Sequence, residues 1–181
     1  MYLWCISASN RWPKIDSIEV IEIGNMVSKG SSHGKPRHGA VAIIVEQEQF
    51  LVIRRSELVR APDLLCFAGG TIEVGETPHQ AIQRELMEEL RLEGVAKEHV
   101  WQSVTHWGTQ LEWVLVERLP HSQPEANLTE VAEWMWLSPE QLLAHPKLLP
   151  SVPAFFCAWA RNEFSLPSRA GLPNPKWAQF S

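Results

Sequence analysis

Cysteine is scarce and unpaired in pattern: Cys5, Cys66 and Cys157 are odd in number and widely separated. Neither a disulfide framework nor a CxxC metal site is written in that spacing, and thiols idle in a reducing compartment are the expectation. No apolar run approaches the roughly 20 residues that a membrane-spanning helix needs. The opening MYLWCISASNRWPK lacks a basic leader and a sustained apolar stretch, so it does not read as a signal peptide. Basic runs are missing too, and the net charge is −5. Duplex nucleic acid and an anionic membrane surface are therefore not the expected partners. What remains is a cytoplasmic enzyme or binding protein, and a small phosphorylated ligand stays open to it, since acidic proteins hold phosphates through divalent cations.

The chain has 181 residues, 45% hydrophobic and 20% charged, enough for one domain with a substantial core. Residues 1–36 read as an extension: an alternating stretch over 17–23 suggests an edge strand, and the Gly, Ser and Pro of 28–39 mark a connection. Residues 1–33 read equally as a lead-in, an added edge strand or a homodimer contact. The compact domain is expected over 37–165, with a Pro- and Gly-containing tail over 166–181.

Within the domain, β-rich runs at 40–45 and 50–55 flank the polar EQEQ and predict a hairpin. Further strands are expected over 100–105, 111–119 and 131–137. Two helix starts carry a capping box behind a proline: Thr77, Pro78, Gln80 and Ser138, Pro139, Gln141. A last amphipathic helix is expected over 153–164.

Charge is abundant in one place. GGTIEVGETPHQAIQRELMEEL, residues 69–90, holds five glutamates and one arginine behind two glycines. On a helix from Thr77, Ile82, Leu86 and Leu90 make the core stripe. Glu85, Glu88 and Glu89 share the neighbouring stripe at i, i+3 and i+4, with Arg84 one turn before Glu88. Like charges at that spacing repel by a few tenths of a kcal/mol per pair, and by more where water is excluded. A hard divalent cation reverses the sign, and oxygen ligands suit Mg²⁺. A plain solvated acidic face would point away from the apolar stripe instead of bordering it.

Gly70, five residues, Glu76, seven residues, then Arg84-Glu85-Leu86-Met87-Glu88-Glu89 and the aliphatic Leu92 resemble the Nudix box. The order of elements over about 38–163 resembles that family's α/β/α sandwich around a mixed β-sheet. The resemblance implies Mg²⁺- or Mn²⁺-dependent hydrolysis of a nucleoside diphosphate linked to another moiety. It implies Glu85, Glu88, Glu89 and the Gly70 carbonyl as metal ligands, with Glu76 completing the site through water. Arg84 would hold a glutamate in place. The general base stays open between Glu85 and a glutamate outside the box, Glu130 or, close behind, Glu133. Arg54 and Arg55, at a strand end, are candidates for phosphate.

Two departures stand out. Arg91 occupies the place where the family usually has glycine, so the helix is expected to run on toward Gly94. Phe67-Ala68-Gly69-Gly70 replaces the common aromatic-Pro-Gly-Gly entrance. The stretches GETPHQAIQRELMEEL, WVLVERL and EWMWLSPEQL resemble the MutT-type branch, which hydrolyses oxidised guanine nucleoside triphosphates. Other leaving groups (nucleotide sugars, ADP-ribose, dinucleoside polyphosphates, CoA) and a non-catalytic Nudix-like sensor are the alternatives. Nine tryptophans are unusual. Trp107, in the loop-like THWGT with His106 beside it, is the best aromatic contact for a nucleobase.

Overall fold

The computed structural model describes residues 37–166; the strand expected over 17–23, the extension and the tail lie outside them. Two β-sheets and three helices make the fold. The elements are β1 (His38–Ile43), β2 (Val45–Glu46), β3 (Gln49–Arg55), β4 (Leu65–Cys66), β5 (Gly69–Thr71), α1 (Pro78–Leu90), β6 (Gly94–Val104), β7 (Gln110–Arg118), β8 (Val131–Leu137), α2 (Pro139–Leu143) and α3 (Ser151–Ala160).

One sheet is mixed, in the order β5-β1-β7-β6, with β1 and β7 parallel and the other pairs antiparallel. The second joins β2, β3 and β4, and β8 pairs with β3. The hairpin expected from 40–45 and 50–55 is thus only partly formed. β2 turns back on β3, whereas β1 leaves for the other sheet and pairs with β5 and β7. The run Ala40–Val45 is apolar throughout, so nothing in the sequence at Ile44 marks that change of sheet.

β7 shows how the layers arise. Successive side chains of a strand take opposite faces. Trp113 meets Phe155 of α3 at 4.9 Å in a stacked pair, while Val116, three positions on, lies with Leu86 of α1 around Gly94. Helix α1 also contacts β1, β5 and β6. The mixed sheet is therefore covered by α1 on one side and α3 on the other. Phe50, Phe67, Phe155, Phe156 and Trp159 meet edge to face or tilted within this core. Each such ring buried contributes about 1.5–3 kcal/mol relative to an exposed one. The indole N–H of Trp113 is satisfied by Ser103 Oγ at 2.9 Å.

Both capping boxes form, at Thr77 with Gln80 and at Ser138 with Gln141. β8 spans the expected residues. α3 begins and ends earlier than the sequence suggests, at Ser151 and Ala160. The end of α1 differs in kind. The helix stops at Leu90, and Arg91 takes a left-handed conformation, φ 48° and ψ 31°. Leu92 N–H donates to the Leu86 carbonyl at 3.0 Å, and Arg91 N–H to that of Met87 at 3.1 Å. This is the closing pattern in which glycine is usual. It is reinforced from the 125–127 segment, whose Glu125 and Asn127 N–H groups donate to the Leu90 and Glu89 carbonyls at 2.7 and 2.8 Å. Arg91 therefore does not extend the helix toward Gly94.

Candidate active site

The box loop and α1 bring three of the five carboxylates onto one guanidinium. Arg84 Nε donates to Glu76 Oε1 at 2.8 Å, and Nη2 donates to Glu76 Oε2 at 3.0 Å and to the Thr71 carbonyl at 2.8 Å. Its Nη1 donates to Glu85 Oε1 at 2.9 Å and to Glu88 Oε2 at 3.0 Å. Glu76 Oε2 also accepts from the Glu73 N–H at 2.9 Å. The Arg84 hydrogen bonds, then that from Glu73, hold the Glu76 carboxyl down at about 2. The expectation that Arg84 orients a glutamate understates its part. It touches three of them and ties the loop to the helix.

Glu89, the fourth, lies apart. It is 4% exposed and accepts from the Gly69 N–H at 2.9 Å. Burial pushes its carboxyl up to about 8, with only that N–H and the more distant Arg55 charge opposing. Glu85 is 9% exposed and is raised by burial as well, against the pull of Arg84. Glu88 is half exposed, at 50% of its side chain. The negative charge of Glu130 adds to the upward shift of both Glu85 and Glu89. Glu133 does not. It pairs with Arg54 at 2.7 Å on the β3–β8 ladder.

The glycines make this geometry possible. Gly69 has φ +145°, and a Cβ there would stand 2.2 Å from the Ala40 carbonyl oxygen. A Cβ on Gly70 would stand 2.2 Å from Glu85 Oε1 and 2.5 Å from Oε2. Glu85 is thus pressed directly onto the backbone of β5.

Among the described residues, no three acidic, His or Cys side chains are already drawn together as a ligand set. Arg84 stands between the carboxylates instead. The donor set nevertheless fits a hard divalent cation. It is all oxygen, Glu85 lies against a strand with no side chain at Gly70, and Glu89 is a buried carboxyl with no ion pair among the described residues.

A cleft of about 230 Å³ opens beside the box. Gly69, Gly70 and Arg55 line it, together with Trp107 from the β6–β7 loop. Of the paired strand-end arginines, Arg55 faces this cleft, where its Nε donates to the Arg60 carbonyl at 2.9 Å. Arg54 does not line it and is held by Glu133 at 2.7 Å and Asp63 at 3.1 Å. Of the two candidates for phosphate, the structure thus places Arg55 on the cleft and Arg54 on the β3–β8 ladder, with the register shifting between them. Trp134 and Trp136 pair along β8 with Ile53 and Leu51 and pack partly buried against the core. His106 packs edge-on against Trp107 at 4.3 Å.

Sequence reasoning missed the rest of the cleft, namely Arg37, His38, Thr105, Thr109, Leu149 and Ser151. These come together through the parallel pairing of β1 with β7 and the docking of α3. No local signal marks them.

Comparison with known proteins agrees with this geometry. A sequence model described as the NUDIX domain matches residues 36–158, more than half of the chain. The 8-oxo-dGTP diphosphatase of Escherichia coli (strain K12) is 34% identical over 99 residues, 54% of this chain and 62% of that protein. The chain thus spans less than two thirds of that relative's length. The CTP pyrophosphohydrolase of the same organism is 29% identical over 114 residues, 62% of this chain and 84% of the relative. The solution structure of the E. coli ORF135 protein superposes with a TM-score of 0.52 at 28% identity, covering 70% of this chain and 92% of that one. With the box, its glycine entrance and the surrounding sheets all in place, the chain belongs to the Nudix hydrolase family.

Proposed function

We propose that this protein hydrolyses the diphosphate linkage of a small nucleoside diphosphate derivative, a nucleoside triphosphate first among them, with Mg²⁺ or Mn²⁺. One observation carries the reading. Two buried carboxylates, Glu85 and Glu89, lie against Gly70 and Gly69, and those glycines also line a cleft that holds Arg55.

Glu85, Glu88, Glu89 and the Gly70 carbonyl would hold the cation, with Glu76 reaching it through water. When bound, the cation screens the diphosphate and lowers the pKa of the attacking water. The chain's own groups do the rest. Arg55 presents a fixed cation to the phosphates from the cleft wall. Arg84 positions Glu76, Glu85 and Glu88 against their mutual repulsion. Water attacks one phosphorus, the new P–O bond forms as the bridging P–O bond breaks, and the departing phosphate takes the electron pair. The proton released by water passes to a carboxylate, for which Glu85 is the choice within the box and Glu130 the choice outside it. The names of the two E. coli relatives, a dGTP-derivative diphosphatase and a CTP pyrophosphohydrolase, favour a nucleoside triphosphate and nucleotide cleanup.

The test is release of phosphate or pyrophosphate with Mg²⁺ across nucleoside triphosphates, nucleotide sugars, ADP-ribose, dinucleoside polyphosphates and CoA. Preference for a triphosphate supports the proposal. Preference for a diphosphate with a bulky second moiety keeps the hydrolysis and replaces the substrate. Silence across the panel leaves a nucleotide sensor.

A further inference from the structure

Under the hydrolase reading, on which this inference rests, a carboxylate outside the box has to keep a fixed place relative to those inside it. Glu130 belongs to a short segment that packing does not fix. Leu128 is 71% exposed, Thr129 is exposed and Glu130 is half-buried. Hydrogen bonds hold the segment instead, and most of them converge on Asn127.

Asn127 grips two elements at once. Toward α1, its N–H donates to the Glu89 carbonyl at 2.8 Å and its Nδ2 to the Glu88 carbonyl at 3.1 Å. Those carbonyls lie in the last helical turn, where no further turn supplies a donor, and they are the backbone of two box glutamates. Toward its own segment, Asn127 Oδ1 accepts from Thr129 Oγ1 at 2.8 Å and from the Thr129 N–H at 3.3 Å. Its carbonyl accepts from the N–H groups of Glu130 and Val131 at 2.9 and 2.8 Å.

Ser56 closes the grip from the opposite side. It is 4% exposed and donates its N–H to the Glu130 carbonyl at 2.9 Å and its hydroxyl to that of Thr129 at 2.8 Å. It directly follows Arg55, whose ladder partner is Val131. Glu130 is thus spanned between the end of α1 and the end of β3. Any residue at 127 would supply the backbone half of this arrangement. The carboxamide adds the link from Glu88 to Thr129, and that link needs a donor and an acceptor on one short side chain.

We infer that Asn127 is a positioning residue for hydrolysis: its carboxamide, braced by Ser56 opposite, holds Glu130 at a set place relative to Glu88 and Glu89. Its effect on turnover passes through the Glu130 carboxylate.

The test is a double-mutant cycle between Asn127→Ala and Glu130→Gln, with Mg²⁺, on the panel substrate that the wild type cleaves fastest. Amide hydrogen exchange of the same proteins is read alongside. Asn127→Ala should lower kcat by about 10- to 100-fold, as loss of a supporting contact does, with KM within about twofold. The Thr129 and Glu130 amides should exchange faster, and those in the middle of α1 should not. In the Glu130→Gln background the same change should cost less than about twofold, because the carboxylate it positions is already gone. Ser56→Ala, which frees Thr129 from the other side, should repeat the pattern and stands in if the Asn127 variant does not fold. Equal losses in both backgrounds, or a fall in Tm with kcat unchanged, overturn the inference, since the carboxamide then only closes the helix. A wild type that cleaves nothing on the panel sinks the hydrolase reading, and this role with it.

Discussion

Gly69 donates its backbone N–H to Glu89 at 2.9 Å, and that one bond joins the strand before the box loop to the last turn of the helix after it. The bond only partly opposes burial, which pushes the carboxyl up to about 8. Between the usual carboxylate range and pH 8 the folded state holds a proton that the unfolded chain has released. Glu89 therefore contributes stability that is full below about pH 4.5 and lost as pH rises through about 8. In chelator, the wild-type Tm should fall over that window. Glu89→Gln keeps an oxygen for Gly69 and cannot ionise, so it should lie several degrees above wild type at pH 8.5 and be inactive. Glu85, raised in the same direction, leaves a smaller slope in the variant. Parallel Tm–pH profiles for the two proteins would dismiss this account.

The nearest obstacle to a side chain at Gly70 is the Glu85 carboxyl. A methyl group there would collide with the Glu85 carboxyl at 2.2 to 2.5 Å, and the flexible end of that side chain would swing away. Gly70→Ala should accordingly fold with nearly wild-type Tm and lose about 10- to 100-fold in kcat, a magnitude typical of misplaced ligand-supporting groups. Unchanged kcat would show that Glu85 has no fixed post to keep.

Arg54 and Arg55 are neighbours in different surroundings, Arg54 among ion-pair partners and Arg55 on the cleft wall. Arg54 belongs to a chain of ion pairs, Glu133 to Arg54 to Asp63 to Lys147, that ties β8 and β3 to the segment before α3. Such partly exposed pairs contribute up to about 1 kcal/mol each. Arg54→Ala should lower Tm slightly with KM unchanged, while Arg55→Ala should raise KM for a triphosphate at least about tenfold. Steady-state kinetics on the two variants decide it, and a KM effect confined to Arg54→Ala would reverse the assignment.

How much of this was legible follows from range. The capping boxes at Thr77 and Ser138 are local signals, and both helices start where they say. The glutamate stripe is a consequence of helical period, so Glu85 and Glu89 could be placed at the rim of the core before any coordinates. The exit of β1 from its hairpin, the pairing of Arg54 with Glu133 and Asp63, and the arrival of Thr109 and Ser151 at one cleft depend on strand register and helix docking. These couple residues far apart in sequence, and no spacing rule carries them. The box pattern gave Arg84 a single partner, whereas its guanidinium reaches three carboxylates because the loop folds back over α1.

Arg91 is the residue at which the local rule misled, and it yields the cleanest stability test. A helix lacking glycine at its end was expected to continue. Instead the 125–127 segment supplies N–H donors to the Leu90 and Glu89 carbonyls, and the chain turns at Arg91 with φ 48°. A non-glycine residue in that conformation costs about 1 kcal/mol. The side chain offers little in return, since it is two-thirds exposed and its pair with Glu125 is long, at 3.7 Å. Arg91→Gly also makes the unfolded chain more flexible, which offsets part of the gain. The net expectation is a stabilisation of about 0.5 kcal/mol, with kcat and KM unchanged, because every box ligand precedes the turn. Urea denaturation of both proteins measures it. A destabilised glycine variant would mean that the Arg91 side chain holds the turn through more than its backbone.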